Sequence, residues 1–175
     1  MATSKNKTKS EETLVKTNEE KAMKITRRYM LWSAGAGLIP FPLIDLASII
    51  GVQMKMVSEI SDIYGVSFSE NKAKNTISAA LSGVTASTFA QGTVGSSIKA
   101  LPVIGTLLGT VTMPFFASAS SYALSNVFIN HFEQGGTFLD LDGEKFKENF
   151  KMMFKRGEKV AKDLKAEVEV EKTSN

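Results

Sequence analysis

Asn75–Ile98 reads NTISAALSGVTASTFAQGTVGSSI, and Ala100–Phe132, beyond the single interruption at Lys99, is again free of Asp, Glu, Lys and Arg. These two stretches decide the fold. They show no period-2 alternation of a half-buried strand, and their Ala, Ser and Gly content suits helices whose backbones approach closely. About 20 mostly apolar residues cross a bilayer as a helix, so both stretches meet the length criterion for a span. Their hydrophobic strength differs. The first is rich in Ser and Thr, whereas Leu101–Phe116, LPVIGTLLGTVTMPFF, is the stronger candidate. The expectation is a central Gly/Ala/Ser-rich helical hairpin, Asn75 to Phe132, inserted in or packed on a membrane.

Charge is concentrated outside this region. Residues 1–28 carry eight bases against four acids, residues 29–132 four of each, and residues 133–175 nine bases against ten acids. The result is a polar–apolar–polar order along the 175 residues. A third apolar stretch, Met30–Val52, contains Pro40, Pro42 and Asp45. A charge near mid-span costs roughly 2.5–3.5 kcal/mol on insertion scales, which argues against a simple spanning helix there. The first 20 residues lack the apolar core of a secretory signal. Lys24, Arg27 and Arg28 precede the first apolar stretch, where the positive-inside bias holds a chain end on the cytoplasmic side.

Working outward, five helices follow from periodicity and punctuation. The first runs from Glu19 to about Ala36, with Ala22, Ile25, Tyr29 and Trp32 as its apolar positions, and ends before Gly37, Pro40 and Pro42. Pro42 opens a second helix to Tyr64, its apolar stripe being Leu43, Leu46, Ala47, Ile50, Met54, Val57, Ile60 and Tyr64, with Gly65 as the left-handed stop. A third begins at Ser69 and weakens after Ser87. A fourth starts at Pro102, with a kink or break at Pro114 before Phe115–Phe128. The last runs from about Asp142 to Glu167, basic and amphipathic, with Phe146, Phe150, Met153, Phe154, Val160 and Leu164 on one face. The fold class is therefore all-α. The organisation is a disordered charged tail (1–18), a membrane-associated helical domain (19–136), the basic C-terminal helix (137–167) and a disordered tail (168–175).

The absence of cysteine excludes disulfide scaffolds, thiol catalysis and thiolate metal sites, and a single histidine excludes multi-histidine metal sites. No catalytic residue, metal or cofactor is expected. Four polar or packing features stand out instead. Gly105 and Gly109, four apart, form a small-xxx-small pair for close helix contact. Asp45 falls in the first turn of a helix opened by Pro42, where its carboxylate meets free N–H groups; a pore-lining role is the alternative. Lys99 lies at the turn of the hairpin, either snorkelling to headgroups or in a plain loop. His131 reads as a helix-end or interfacial histidine. The glycine clusters lack the GxxxxGK[ST] pattern of a phosphate loop. In the basic helix, bases alternate with acids and no recognition motif is present, so nucleic acid is not an expected partner.

The run Ile39-Pro40-Phe41-Pro42-Leu43-Ile44-Asp45, then Gln53-Met54, then Ser61-Asp62-Ile63-Tyr64-Gly65, and later LPVIGTLLG at Leu101–Gly109, resembles in order the bacterial family called domain of unknown function 697. The resemblance covers roughly Ala22 to Gly136. It implies a small α-helical, membrane-associated domain of the YcjF-like type, often attached to or encoded with Era-like GTPases, with no assigned biochemical activity. With no P-loop in this chain, any GTPase would be a partner in trans. The leading expectation is a non-enzymatic protein of the bacterial inner membrane that contacts lipid, anchors or assists a GTPase or remodels membrane, and self-associates through Gly105 and Gly109. The second is a soluble, cytoplasmic helical interaction module, an adaptor whose apolar hairpin is a bundle core. An enzyme using Asp45, Glu59, Asp62 or His131 ranks third.

Overall fold

The computed structural model describes residues 17–33, 46–91 and 102–173. Five helices account for nearly all of them: α1 (17–33), α2 (Leu46–Ile63), α3 (Glu70–Gln91), α4 (Pro102–Glu133) and α5 (Gly143–Thr173). There is no strand among the described residues. The charged tail expected over residues 1–18 lies, up to residue 16, outside the described residues, as do Asp45, Lys99 and the junction around Pro40 and Pro42.

Four helices bury the same stripe. Ala22, Thr26, Tyr29, Met30 and Ser33 are buried on α1; Ile49, Gln53, Met56, Val57 and Ile60 on α2; Ala73, Ile77, Ala80, Leu81 and Val84 on α3. Each set follows i, i+4, i+7, i+8, i+11, one face of a 3.6-residue period. On α5 the buried face runs through Phe146, Phe150, Phe154, Ala161 and Leu164, at i, i+4, i+8, i+15 and i+18 of the same helical period. The stripe expected on α2 is rotated, because Gln53 takes a core position and Ile50 and Met54 lie at its margin. On α1 the expected apolar Trp32 points outward, with Thr26 and Ser33 buried in place of a wider hydrophobic face.

Helix α4 is different: from Ala117 to Ile129 it is buried nearly all round. It also runs through Pro114 without the expected break, giving up only the bond from that residue's missing N–H to the carbonyl of Thr110. Helix α5 extends past Glu167 to Thr173.

The helix contacts close a ring. Among the described residues α4 packs most extensively on α5 and then on α2, while α3 packs on α2 and α5. Helices α3 and α4, consecutive in the chain, therefore lie across the ring from each other. Pairings Gln53 with Ser121, Met56 with Ser125 and Tyr64 with Glu133 show that α2 and α4 run parallel. Phe128 against Phe146 and Ala119 against Gly157 show α4 and α5 antiparallel. One end of the bundle thus holds the α2–α3 and α4–α5 turns. The other holds the end of α1, the start of α2, the end of α3 and the start of α4.

Turn chemistry at the first end is fully satisfied. Gly65 (φ 66°) and Gly135 (φ 80°) occupy left-handed positions that favour glycine. Each closes its helix with two reversed bonds: Gly65 N to Asp62 O and Val66 N to Ser61 O, then Gly135 N to Phe132 O and Gly136 N to His131 O. Asp142 caps α5, its carboxylate accepting from the amides of Glu144 (3.0 Å) and Lys145 (3.1 Å). Phe128, Phe132, Phe138 and Phe146 form an aromatic cluster beneath these turns, with ring centroids 5.0–5.6 Å apart.

Candidate functional site

Three regions carry polar or accessible chemistry. The first is the seam of small residues where α4 meets α2 and α5. A Cβ on Gly157 would stand 2.6 Å from the carbonyl oxygen of Ala119 and 3.2 Å from the Cβ of Tyr122, so this glycine sets how near the two helices lie. Gly105 and Gly109 are in the first part of α4, whose side-chain surroundings lie outside the described residues. The close approach that the structure does describe is at Gly157, within a basic, Phe-rich helix where a lone glycine between Arg156 and Glu158 was the only signal.

Gln53 faces the same seam. It is fully buried, its Nε2 donating to Ser121 Oγ (3.0 Å) and to the Ala117 carbonyl (3.3 Å). Gln53 Oε1, Ser118 Oγ and Ser120 Oγ have no hydrogen-bond partner among the described residues. Ser121 Oγ bonds back to the Ala117 carbonyl at 2.9 Å, the local pattern by which a helical serine satisfies itself. Of these polar groups, Gln53 Nε2 ties α2 to α4, and none is accessible.

The second region surrounds His131. Its Nε2–H donates to the Thr137 carbonyl (2.8 Å), and the Asp140 carboxylate lies 3.8 Å from the same nitrogen. Asp140 accepts from both the hydroxyl and the amide of Thr137 at 2.6 Å, bonds that hold its carboxyl below the usual range. The ring closes over Gly136, where any side chain would collide with it. His131 is thus part of the α4–α5 turn, as the helix-end reading expects. Nearby, the Tyr64 hydroxyl donates to Glu133 Oε1 (3.0 Å), and burial followed by that carboxylate raises the phenol well above its ordinary value.

The third region is a groove of ≈ 760 Å³ between the last turns of the described part of α1 and the middle of α2. Gly51 and Val52 contribute to its α2 wall, and Leu31 and Trp32 to its α1 wall, with Arg28 and Lys55 also lining it. Trp32 is 61% exposed, the one tryptophan of the chain and its largest outward apolar ring. Arg28 forms an ion pair with Glu59, and the Tyr29 hydroxyl donates to Glu59 Oε1 at 2.8 Å. Burial, then the bond to Glu59, push the Tyr29 phenol up to about 12. Arg27 reaches across to Glu167 on α5 (2.8 Å). Lys55 makes no ion pair among the described residues.

Among the described residues no set of three His, Cys, Asp or Glu side chains is placed to hold a metal ion, and no helix is long and apolar enough to cross a membrane. The hairpin expected to insert from Asn75 to Phe132 is corrected in its latter part: Ala117 to Phe132 packs into the bundle, because α2 and α5 cover it. The class of protein so defined is a small all-α bundle whose described ionisable groups cap helices and tie them together. The chain belongs to the family described as Domain of unknown function (DUF697), whose model matches residues 2–159. It is similar to Magnetosome membrane protein 22 of Magnetospirillum gryphiswaldense, at 30% identity over 148 residues, which is 85% of this chain and 76% of that protein. No solved structure gives a significant match.

Proposed function

We propose that the protein is a non-enzymatic, membrane-associated helical bundle that docks by one end on the cytoplasmic side of the bacterial inner membrane. The observation that carries this reading is the segregation of the two ends. The chain passes from α1 to α2 through residues 34–45 and from α3 to α4 through residues 92–101, and both passages leave from the end that holds Trp32. Apart from Asp45 and Lys99 these passages carry no charge. The opposite end carries the capped turns and Glu133, Asp140, Asp142, Glu144 and Lys145. Apolar sequence gathered at one end of a bundle suits a bilayer surface, where such residues leave water without a full span. The similarity to a magnetosome membrane protein supports the same reading.

Its role would be physical: to anchor, to assemble with further copies, or to hold a GTPase supplied in trans, the partner class that the family resemblance adds. The adaptor reading is favoured by a different observation, the burial of Ala117–Ile129 as ordinary bundle core. Fractionation of the expressed full chain separates the two. Recovery with the membrane pellet is expected; carbonate resistance of that pellet would mean insertion and carbonate release surface docking. Recovery in the soluble fraction overturns the membrane reading and leaves the adaptor.

A further inference from the structure

We infer that the α1–α2 groove is an anionic-phospholipid site, with the headgroup phosphate between Lys55 and Arg28 and the first acyl carbons over Gly51 beside Trp32. The inference rests on the membrane reading and deepens it by naming the surface and the lipid class. Four observations carry it. The groove exists because α2 has no side chain at residue 51: a Cβ built there meets nothing within 4 Å. Its walls are apolar at Leu31, Val52 and Trp32, and its rim is cationic. Glu59 neutralises Arg28 and is held by Tyr29, so the remaining net charge of the groove is that of Lys55, which has no ion-pair partner among the described residues. Trp32, 61% exposed, lies in the last described turn of α1, on the wall of the groove opposite Gly51 and Lys55.

Each feature fits a bilayer surface better than it fits a folded core. An indole is at home where one side is apolar and the other wet, and lysine on a long apolar stem places its ammonium at headgroup level. A surface tryptophan gains nothing from water. Glycine inside an exposed helix lowers helix stability by about 1 kcal/mol relative to alanine, a cost that packing among the described residues does not recover at position 51, where none comes within 4 Å of a Cβ. Charge complementarity selects the anionic headgroup: a zwitterionic surface offers Lys55 no net attraction.

The single tryptophan makes the test site-specific. Purified full-length protein is mixed with vesicles of phosphatidylcholine alone or with phosphatidylglycerol added, and both sedimentation and Trp32 emission are read. Binding to the anionic vesicles with a blue shift of Trp32 and quenching by brominated acyl chains is expected. Gly51→Phe plugs the groove without a clash, and Lys55→Glu reverses its free charge. Each should bind about tenfold more weakly, the second through loss of an attraction and gain of a repulsion at the surface. Lys145→Glu, at the opposite end, should bind as the wild type does. Melting temperatures check folding, and Gly51→Phe should melt no lower than the wild type. Wild-type binding with unshifted Trp32 emission, or unchanged binding by Gly51→Phe and Lys55→Glu, overturns the groove and leaves the membrane reading standing. Absence of binding to either vesicle overturns both.

Discussion

The two ends of this bundle are built on opposite principles. At the α2–α3 and α4–α5 end, backbone groups are closed by glycine turns and an aspartate cap over four packed phenylalanines. Away from it, along the α1–α2 groove, the largest aromatic side chain faces outward, Lys55 has no ion-pair partner among the described residues and position 51 carries no side chain. Satisfied turns and a filled core stabilise a fold by themselves, whereas an exposed indole and a vacant groove contribute little until something covers them. The difference separates the part of the molecule that folds it from the part offered to a partner.

Substitutions at the capped end should therefore cost stability and leave vesicle binding per folded molecule unchanged. The largest effect is expected for Phe128→Ala, which removes a fully buried ring in contact with Phe132, Phe138 and Phe146, at about 3–5 kcal/mol in chemical denaturation. Next comes Gly157→Leu, midway between the ends. Its Cβ meets backbone, not a flexible side chain, so about 3 kcal/mol is expected, together with a larger loss than for the same change at Gly83, above which there is open space. Equal losses at the two glycines would break the assignment of Gly157 as the spacing residue.

At the groove wall, Tyr29→Phe should cost about 1 kcal/mol near neutral pH through the lost bond to Glu59. Its pH dependence has a definite sign. The folded phenol is raised from 10.0 to about 12, so its contribution is fully present below 10.0 and is lost as pH rises toward 12. Thermal melts of wild type and Tyr29→Phe should converge over that window; a constant difference would remove the linkage. The smallest stability change, within about 0.5 kcal/mol, is expected for Trp32→Ser, because the ring is exposed. A loss of several kcal/mol there would place Trp32 in the fold and erase the contrast between the ends.

Much of the architecture was legible from local chemistry. The all-α class, the stop at Gly65, the start at Ser69, the apolar face of α5 and the helix-end role of His131 all follow from spacing and turn residues acting within a few positions of one another. The misreadings share one physical origin. Trp32 was placed on the apolar stripe because hydrophobicity does not say which of two adjacent faces a neighbour will cover. Gln53 was not placed in the core because its partners, Ser121 and the Ala117 carbonyl, are remote in sequence. Pro114 carries a sequence expectation of a kink or break, and α4 continues through it as one helix that packs on α2 and α5.

By itself the sequence determined that the chain is helical, where most helices begin and stop, and that its uncharged residues form long blocks between charged termini. These are properties of periods, caps and composition, each fixed by neighbours along the chain. Only the tertiary structure decided that α3 and α4 lie across the ring, that Gly157 sets a close approach of α4 and α5, and that Gly51, Trp32 and Lys55 share one groove. Those facts depend on which helix faces are buried together, and burial is a property of the assembled bundle that no single helix carries.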